Sequence, residues 1–546
     1  MLAYASAHPE YACGPVAVQL LAFNDFHGNL KPPSGSSGKI VTGPDPLVNF
    51  VDAGGVEYMA THLAQLAATN PHTTIVAAGD LIGATPLLSA AFHDEPSIES
   101  MNLLGLAVSS VGNHEFDKGP EELLRMQSGG CHPVDGCRDG DGFNGASFPF
   151  LGANVIDTAT NDRFLPPYTI RHYGNARVAF IGLTLEGTPL VTTAAGVAGL
   201  VFHDEADTIN SLVPELKGQG VESIVVLLHE GGKQTGLYNE CTAASGAILE
   251  IAARLDPAIE VLVTGHTHNA YNCTVNGRLI TSAAHAGRII TDIDLTIDEL
   301  TGKITSKTAT NVIVTRTVPK HVAQTTLITR YETLIAPIAN RVVGTVNGDL
   351  VRVADADGET TMGAVIADAQ LDGTRAAGAV AAFMNPGGVR ADILAATISG
   401  GEAAGQITYG EAFAVQPFSN LLVTLDVTGA ELDTLLEQQW SMVGGVLKVN
   451  MLSVSAGFQY SWNASAAIGS RVDPSSIKIG GVTVVPTMTY RITVNAFLAD
   501  GGDGFAVLKL GTNRATGSID VDALERYLTS QSPLAVPTLN RVTMTP

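Results

Sequence analysis

Positive charge is scarce in this chain of 546 residues: Lys and Arg number 30 against 53 Asp and Glu, for a formal net charge of −23. Nucleic-acid polymers and anionic membranes call for a basic footprint, so neither is an expected partner. A small phosphorylated molecule stays open, because a few arginines or metal ions supply local positive charge. Charge of either sign is thin, at 15% of residues, while the apolar fraction of 45% is ample for buried cores. No run reaches the roughly 18 consecutive apolar residues of a membrane span. The length exceeds one ordinary core and implies two or three domains.

Cysteine is also sparse, with five in all. Cys131 and Cys137 flank a tight Gly/Pro/Asp-rich loop, and Cys241 and Cys273 lie either side of the apolar run Glu260–Thr264. The placement predicts disulfides 131–137 and 241–273 with Cys13 unpaired, and therefore an oxidising compartment, periplasmic or secreted. The opening residues lack the basic and apolar regions of a complete secretory signal. Ala5-Ser6-Ala7 has the small-residue pattern that ends a processed one, so the numbering is expected to begin near a mature terminus.

The first half alternates short apolar runs with helical patterns, the signature of strands crossed by helices. The runs are Val16–Phe23, Thr74–Ala78, Phe150–Val155, Val178–Leu183, Ser223–Leu228 and Glu260–Thr264. Pro32–Gly43 reads as a flexible surface loop. Lys320–Val342 reads as one amphipathic helix, with Val322, Leu327, Ile328, Tyr331, Leu334 and Ile335 as its buried stripe and a kink at Pro337. Beyond it, Gly- and Asp-rich turns separate β-like runs (Asn420–Val427, Leu447–Val454, Thr489–Val494) from helices near Thr361–Leu371 and Gly429–Glu437. The expected division is a tail over 1–15, a first domain over 16–318, a linking helix over 319–342 and a second domain over 343–546.

Several of the first-half runs end in polar clusters: Asp25-Phe26-His27, Gly79-Asp80, Gly112-Asn113-His114-Glu115, His229 and Gly265-His266-Thr267-His268. In open α/β sheets ligands collect beyond the carboxyl ends of strands. Side chains two apart on an extended strand point the same way, so Asp25 with His27, and His266 with His268, can each reach one point. Gly265, just before the second pair, lets the backbone turn away sharply. A carboxylate has two oxygens and can bridge two cations, which makes Asp80 the candidate bridge. Taken singly, each segment has a plain alternative: Asp80 as a helix N-cap before Leu87, or His229 as a hydrogen-bonded core histidine. As an ordered set they point to a pair of divalent cations, zinc or manganese by donor type. Such a pair supports in-line attack at phosphorus.

The series DFHGN, GDLIG, GNHEFD, a strand-end His and GHTH resembles the metallophosphatase domain of bacterial 5′-nucleotidases. The resemblance implies a four-layer α/β/β/α metallophosphatase domain, a linking helix and an α+β nucleotide-recognition domain. One metal would take Asp25, His27, Asp80 and His268, and the other Asp80, Asn113, His229 and His266. Many relatives carry Gln where this chain has His268. The resemblance also implies His114 and Asp117 as a catalytic dyad; Glu115 between them reads as a supporting residue.

In the second half, Asn385-Pro386-Gly387-Gly388-Val389-Arg390, Gln416-Pro417-Phe418 and the loop from Asn495 to Phe505 pair aromatics with polar groups in Gly-rich turns. Two aromatic faces can sandwich a nucleobase, although each ring could equally belong to a core. By resemblance, Phe418 and Phe497 would stack the base and Asp503 would hold the ribose. Asn385 and Arg390 would contact base and phosphate, with Arg352 on the phosphate side. A further arginine expected there falls at Ala356. The implied activity is hydrolysis of nucleoside 5′-monophosphates, extending to UDP-sugars or nucleoside di- and triphosphates. A 2′,3′-cyclic phosphodiesterase with 3′-nucleotidase activity is the enzymatic rival, and an inactive nucleotide-binding surface protein the non-enzymatic one.

Overall fold

Strands that are apolar at every position have no face to give to water and must be covered on both sides. In the structure, a computed structural model describing residues 14–33, 38–45, 48–193, 195–443 and 446–545, the first-half runs are used in that way. The first sheet runs in the order Ile304–Ile313, Ile289–Asp298, Pro15–Phe23, Thr73–Ala78, Val108–Ser110, Phe150–Leu151. The second runs Ala270–Val275, Arg278–Ala283, Ile259–Thr264, Ser223–His229, Ala176–Thr184, Tyr168–Tyr173. The central strands of each are parallel.

Alternation assigns each strand residue to a layer. Val18, Leu20 and Ala22 meet Phe180, Val225, Leu227 and Val263 of the facing sheet, forming the core between the two sheets. Leu21 and Phe23 turn the other way, against Met59, Leu63, Ile98, Met101 and Leu123 on the outer helices. Ile224, Val226 and Leu228 pack on the helices Glu205–Gly218 and Ala247–Arg254. Each fully buried Val, Leu or Phe contributes about 1.5–3 kcal/mol. The four-layer α/β/β/α arrangement is the one expected.

The later strands form separate sheets, and among the described residues no sheet mixes strands from before and after the helix Val322–Ala339. The largest has the order Ser453–Val454, Ala381–Met384, Thr489–Asn495, Leu421–Thr428, Thr512–Ile519. Helices Thr361–Thr374 and Gly429–Glu437 flank it, the latter opened by a capping box between Thr428 and Glu431.

Several expectations need correction. The linking helix is Val322–Ala339, shorter than expected, and it continues past Pro337. Its buried residues are Gln324, Ile328, Tyr331 and Ile335, whereas Val322 and Leu334 are 78% and 43% exposed. Gln324 takes a stripe position because it exchanges hydrogen bonds with Ser100 (2.8 and 3.0 Å). Leu334 is one residue before Ile335 and so falls about 100° off the stripe. Within Pro32–Gly43, Lys39–Val41 is a strand paired to Phe50–Asp52 rather than loop; residues 34–37 lie outside the described residues. The run Phe150–Val155 breaks after Leu151, and Leu447–Val454 divides between the strands Val446–Val449 and Ser453–Val454.

Both expected disulfides are present, with Cα–Cα distances of 4.8 Å for Cys131–Cys137 and 5.1 Å for Cys241–Cys273. Cys13 lies outside the described residues. Thiol titration of the denatured, unreduced protein is expected to find a single free thiol among the five cysteines; five titrating thiols would contradict both bridges.

Candidate active site

The parallel strands of both sheets deliver their carboxyl ends to one edge, so residues over 240 positions apart meet there. Asp25 and Asp80, each at most 1% exposed, share this point with His229, and Asp25 also meets His27 and His268. His229 Nε2 is 3.0 Å from Asp80 Oδ2 and 4.0 Å from Asp25 Oδ1. His268 Nε2 is 3.3 Å from Asp25 Oδ1 and 3.1 Å from His27 Nε2. His27 Nε2 lies 3.7 Å from Asp80 Oδ2. His266 stands beside this group, its Nδ1 3.0 Å from Asn113 Oδ1. All seven expected ligands therefore converge.

The backbone is bent to achieve this. Asp25, His27, Asp80, His266 and His268 all have positive φ, between 46° and 68°. In non-glycine residues each such conformation costs of order 1–3 kcal/mol and persists only where the surroundings impose it. Gly112 leaves room: a Cβ there would come within 2.2 Å of Asp80 Oδ1. Gly265 does not make the sharp turn expected of it. Its φ is not positive, and what it supplies is space, since a Cβ would lie 2.8 Å from Ala78 O. Asp80 is not a helix cap, because Pro86 holds that position before Leu87–Ala90.

The imidazoles are oriented from behind. His27 Nδ1 donates to Gly83 O at 2.9 Å and His229 Nδ1 to Ala78 O at 2.7 Å, which turns each Nε2 lone pair inward. His229 Nε2 is buried and makes no hydrogen bond of good geometry despite its closeness to Asp80. Burial favours its neutral ring, yet Asp80 and Asp25 outweigh burial and push its pKa up to about 10. An orphaned inward nitrogen in the field of two buried carboxylates is what a cation-binding donor set requires, so the residues fit divalent metal.

Sequence reasoning gave Glu115 a supporting place without naming what it supports, and missed two neighbours. Glu115 accepts from the backbone N–H groups of Asp80 (2.9 Å), Leu81 (2.8 Å), Ile82 (3.4 Å) and Gly112 (2.5 Å), which locks the loop carrying the candidate bridge. Burial, with Asp80 adding to it, pushes its carboxyl up to about 7. Asn24 donates to Asp25 Oδ2 at 2.6 Å and to Ala284 O at 2.7 Å. His285 stacks on His268, ring centroids 4.5 Å apart, and accepts from Arg288 Nη2 at 2.6 Å. His285 follows the strand Arg278–Ala283, so the strand-end signal was there to be read.

His114 and Asp117 form the expected pair, Nδ1 to Oδ2 at 2.7 Å. Burial opposes charge on this ring, but Asp117 and Asp80 prevail and raise its pKa. A cavity of about 960 Å³ runs from Asp80, Asn113 and His266 past this pair to Asn385, Arg390, Phe418, Phe497 and Asp503. The Phe418 ring lies 5.6 Å from that of His114, and Phe497 stands over Gly502. Asn385 donates to Asp503 Oδ2 at 2.8 Å and accepts from Asn495 at 3.0 Å. Arg352 is not brought into this cavity. It pairs with Asp392 and lines an adjoining cavity of about 800 Å³, which shares Arg390 and His268 with the first. Ala356 is exposed in a loop.

The family model for the 5′-nucleotidase C-terminal domain matches residues 342–510. The fold is similar across 97% of the chain to a 5′-nucleotidase precursor from Thermus thermophilus, with a TM-score of 0.77, 26% identity and 99% of that chain covered. The chain belongs to the bacterial 5′-nucleotidase family. Within curated relatives, it is 33% identical over 531 residues to Endonuclease YhcR of Bacillus subtilis, covering 96% of this chain but 41% of YhcR. It is 29% identical over 545 residues to the cell wall protein Lmo0130 of Listeria monocytogenes, covering 96% of this chain and 68% of that protein. The chain thus spans less than half the length of YhcR.

Glu115→Gln replaces an acceptor-only group with one that presents N–H to N–H. It is expected to weaken metal binding about 10- to 100-fold, the usual worth of an outer support, read by chelator competition.

Proposed function

We propose that this member of the 5′-nucleotidase family hydrolyses nucleoside 5′-monophosphates to nucleoside and orthophosphate, in the periplasm or outside the cell. The observation that carries the reading is one continuous cavity joining the buried Asp/His cluster to Phe418, Phe497 and Asp503. Asp25, His27, Asp80 and His268 would hold one divalent ion, zinc or manganese, and Asp80, Asn113, His229 and His266 the other. Bound, the pair supplies Lewis-acid stabilisation at phosphorus and acidifies the attacking water.

The chain's own residues do the rest. Phe418 and Phe497 receive the base by stacking, while Asp503, steadied by Asn385, accepts from ribose hydroxyls. Arg390 holds phosphate oxygens from the second half. His114, held in tautomer and direction by Asp117, meets the phosphoryl group or hands its proton to the departing 5′ oxygen. Arg352, lining the adjoining cavity together with Arg390 and His268, adds positive charge on the phosphate side. UDP-sugars and nucleoside di- or triphosphates are further substrates of the same reading. Asp117 favours 5′-nucleotide hydrolysis over the 2′,3′-cyclic phosphodiesterase alternative, whose members usually carry Asn there.

Phosphate release from AMP, 3′-AMP and 2′,3′-cyclic AMP is expected to be greatest from AMP; preference for either of the others would reject the substrate class. Phe497→Ala should raise KM for AMP by about 5- to 150-fold, corresponding to about 1–3 kcal/mol of stacking. His114→Ala should lower kcat by about 10²–10⁴ with metal content near normal. If protonated His114 is required, activity falls as pH rises through its raised pKa. Asp117→Asn removes the charge that raises it and should move the alkaline limb of the kcat profile to lower pH. An unmoved limb would count against the pair.

A further inference from the structure

A second group of side chains able to ligate metal, sharing no residue with the buried Asp/His cluster, lines the same cavity around the disulfide loop Cys131–Cys137. His93 sits in a left-handed turn (φ 54°) before the helix Glu95–Leu104, Glu122 on the helix Pro120–Ser128, and His132 inside the loop. Each of the three offers a donor atom within 4.8 Å of the others. The two imidazoles are stacked with centroids 3.8 Å apart and planes 5° from parallel.

The donors around this point are incompletely used. His93 Nε2 is buried and makes no hydrogen bond of good geometry, although Asp135 Oδ2 is 2.9 Å away. His132 Nδ1 takes only a 3.2 Å bond from the Asp135 backbone N–H, and lies 3.7 Å from the same Asp135 oxygen. Glu122 is engaged by Arg125 at 2.8 and 2.9 Å, but a carboxylate has about four lone-pair sites and keeps some free. Arg138 at 2.9 Å from Asp135 and Arg125 beside Glu122 bring positive charge. Glu122, Asp135 and Glu95, the last paired with Arg125 at 2.6 Å, outnumber those two arginines. Two parallel imidazoles in contact disfavour double protonation, and burial with His132 alongside lowers the pKa of His93. The plainer account, a histidine–aspartate ion pair beside a Glu122–Arg125 pair, explains the individual contacts but not why three donors of metal-ligand type lie within 4.8 Å of one another.

We propose that His93, Glu122 and His132 form an additional binding site for one divalent transition-metal ion such as zinc. Two imidazoles and one carboxylate are a competent set of three protein ligands for tetrahedral zinc, with the fourth position left to water. The Cys131–Cys137 bridge holds His132 in a short closed loop before any ion arrives, so less chain entropy is lost on binding. The ion would tie that loop to the turn that carries His93 and to the helix that carries Glu122.

The test uses the full chain, stripped of metal and titrated with Zn²⁺ alone, with bound zinc counted after gel filtration. His93→Asn, which tolerates the left-handed turn, and His132→Gln, in the loop, are each expected to bind one equivalent fewer than the unmodified protein. Asp80→Asn, altered in the buried cluster, should keep the equivalent that the other two lose. Cobalt in place of zinc should show a tetrahedral d–d absorption component that both histidine variants lack. Equal zinc equivalents and equal cobalt spectra in the unmodified protein and His132→Gln would overturn the proposal. If His93→Asn fails to fold, His132→Gln alone decides.

Discussion

Two carboxylates, Asp25 and Asp80, lie buried within reach of the same histidine, and this like-charge pair is the constraint on which the site depends. Desolvation penalises each charge and mutual repulsion adds to the penalty. Only strong positive potential offsets that, from protonated imidazole or from cations. The left-handed residues, the side-chain-free contact at Gly112 and the Glu115 carboxylate capping four N–H groups are the means by which the chain imposes an arrangement it would otherwise relax.

That arrangement is sustained because the strands beneath it are rigid. Six-stranded sheets covered on both faces fix the positions of Phe23, Ala78, Ser110, His229 and Thr264, and the ligand-bearing turns leave from those positions. A turn hung on an exposed strand would have no such reference. Facing the site from the second half, the Phe418 ring comes to 5.6 Å from that of His114.

Much of this was legible before any coordinates. Uninterrupted apolar runs announced doubly covered strands, and donors at their ends announced where the site would lie. Asn24 escaped because its bond to Asp25 is fixed by a distant partner, Ala284, that no spacing reveals, and His285 because the strand before it, Arg278–Ala283, was not among the apolar runs singled out. The helix stripe was misjudged at Val322 and Leu334 because apolar character was counted and the buried Gln324–Ser100 exchange could not be. Arg352 is placed on the phosphate side by likeness alone, and its Asp392 partner, 40 residues on, leaves no local trace.

Every strand that carries a candidate cation ligand lies before the helix Val322–Ala339, and Phe418, Phe497 and Asp503 all lie after it, with no shared sheet among the described residues. On the proposed function, the hydrolytic residues and those that would receive the substrate thus stand on separate structural units. On that reading, substitutions in the turns around Asn385, Phe418 and Phe497 would change which compound is accepted without disturbing the strained ligand turns.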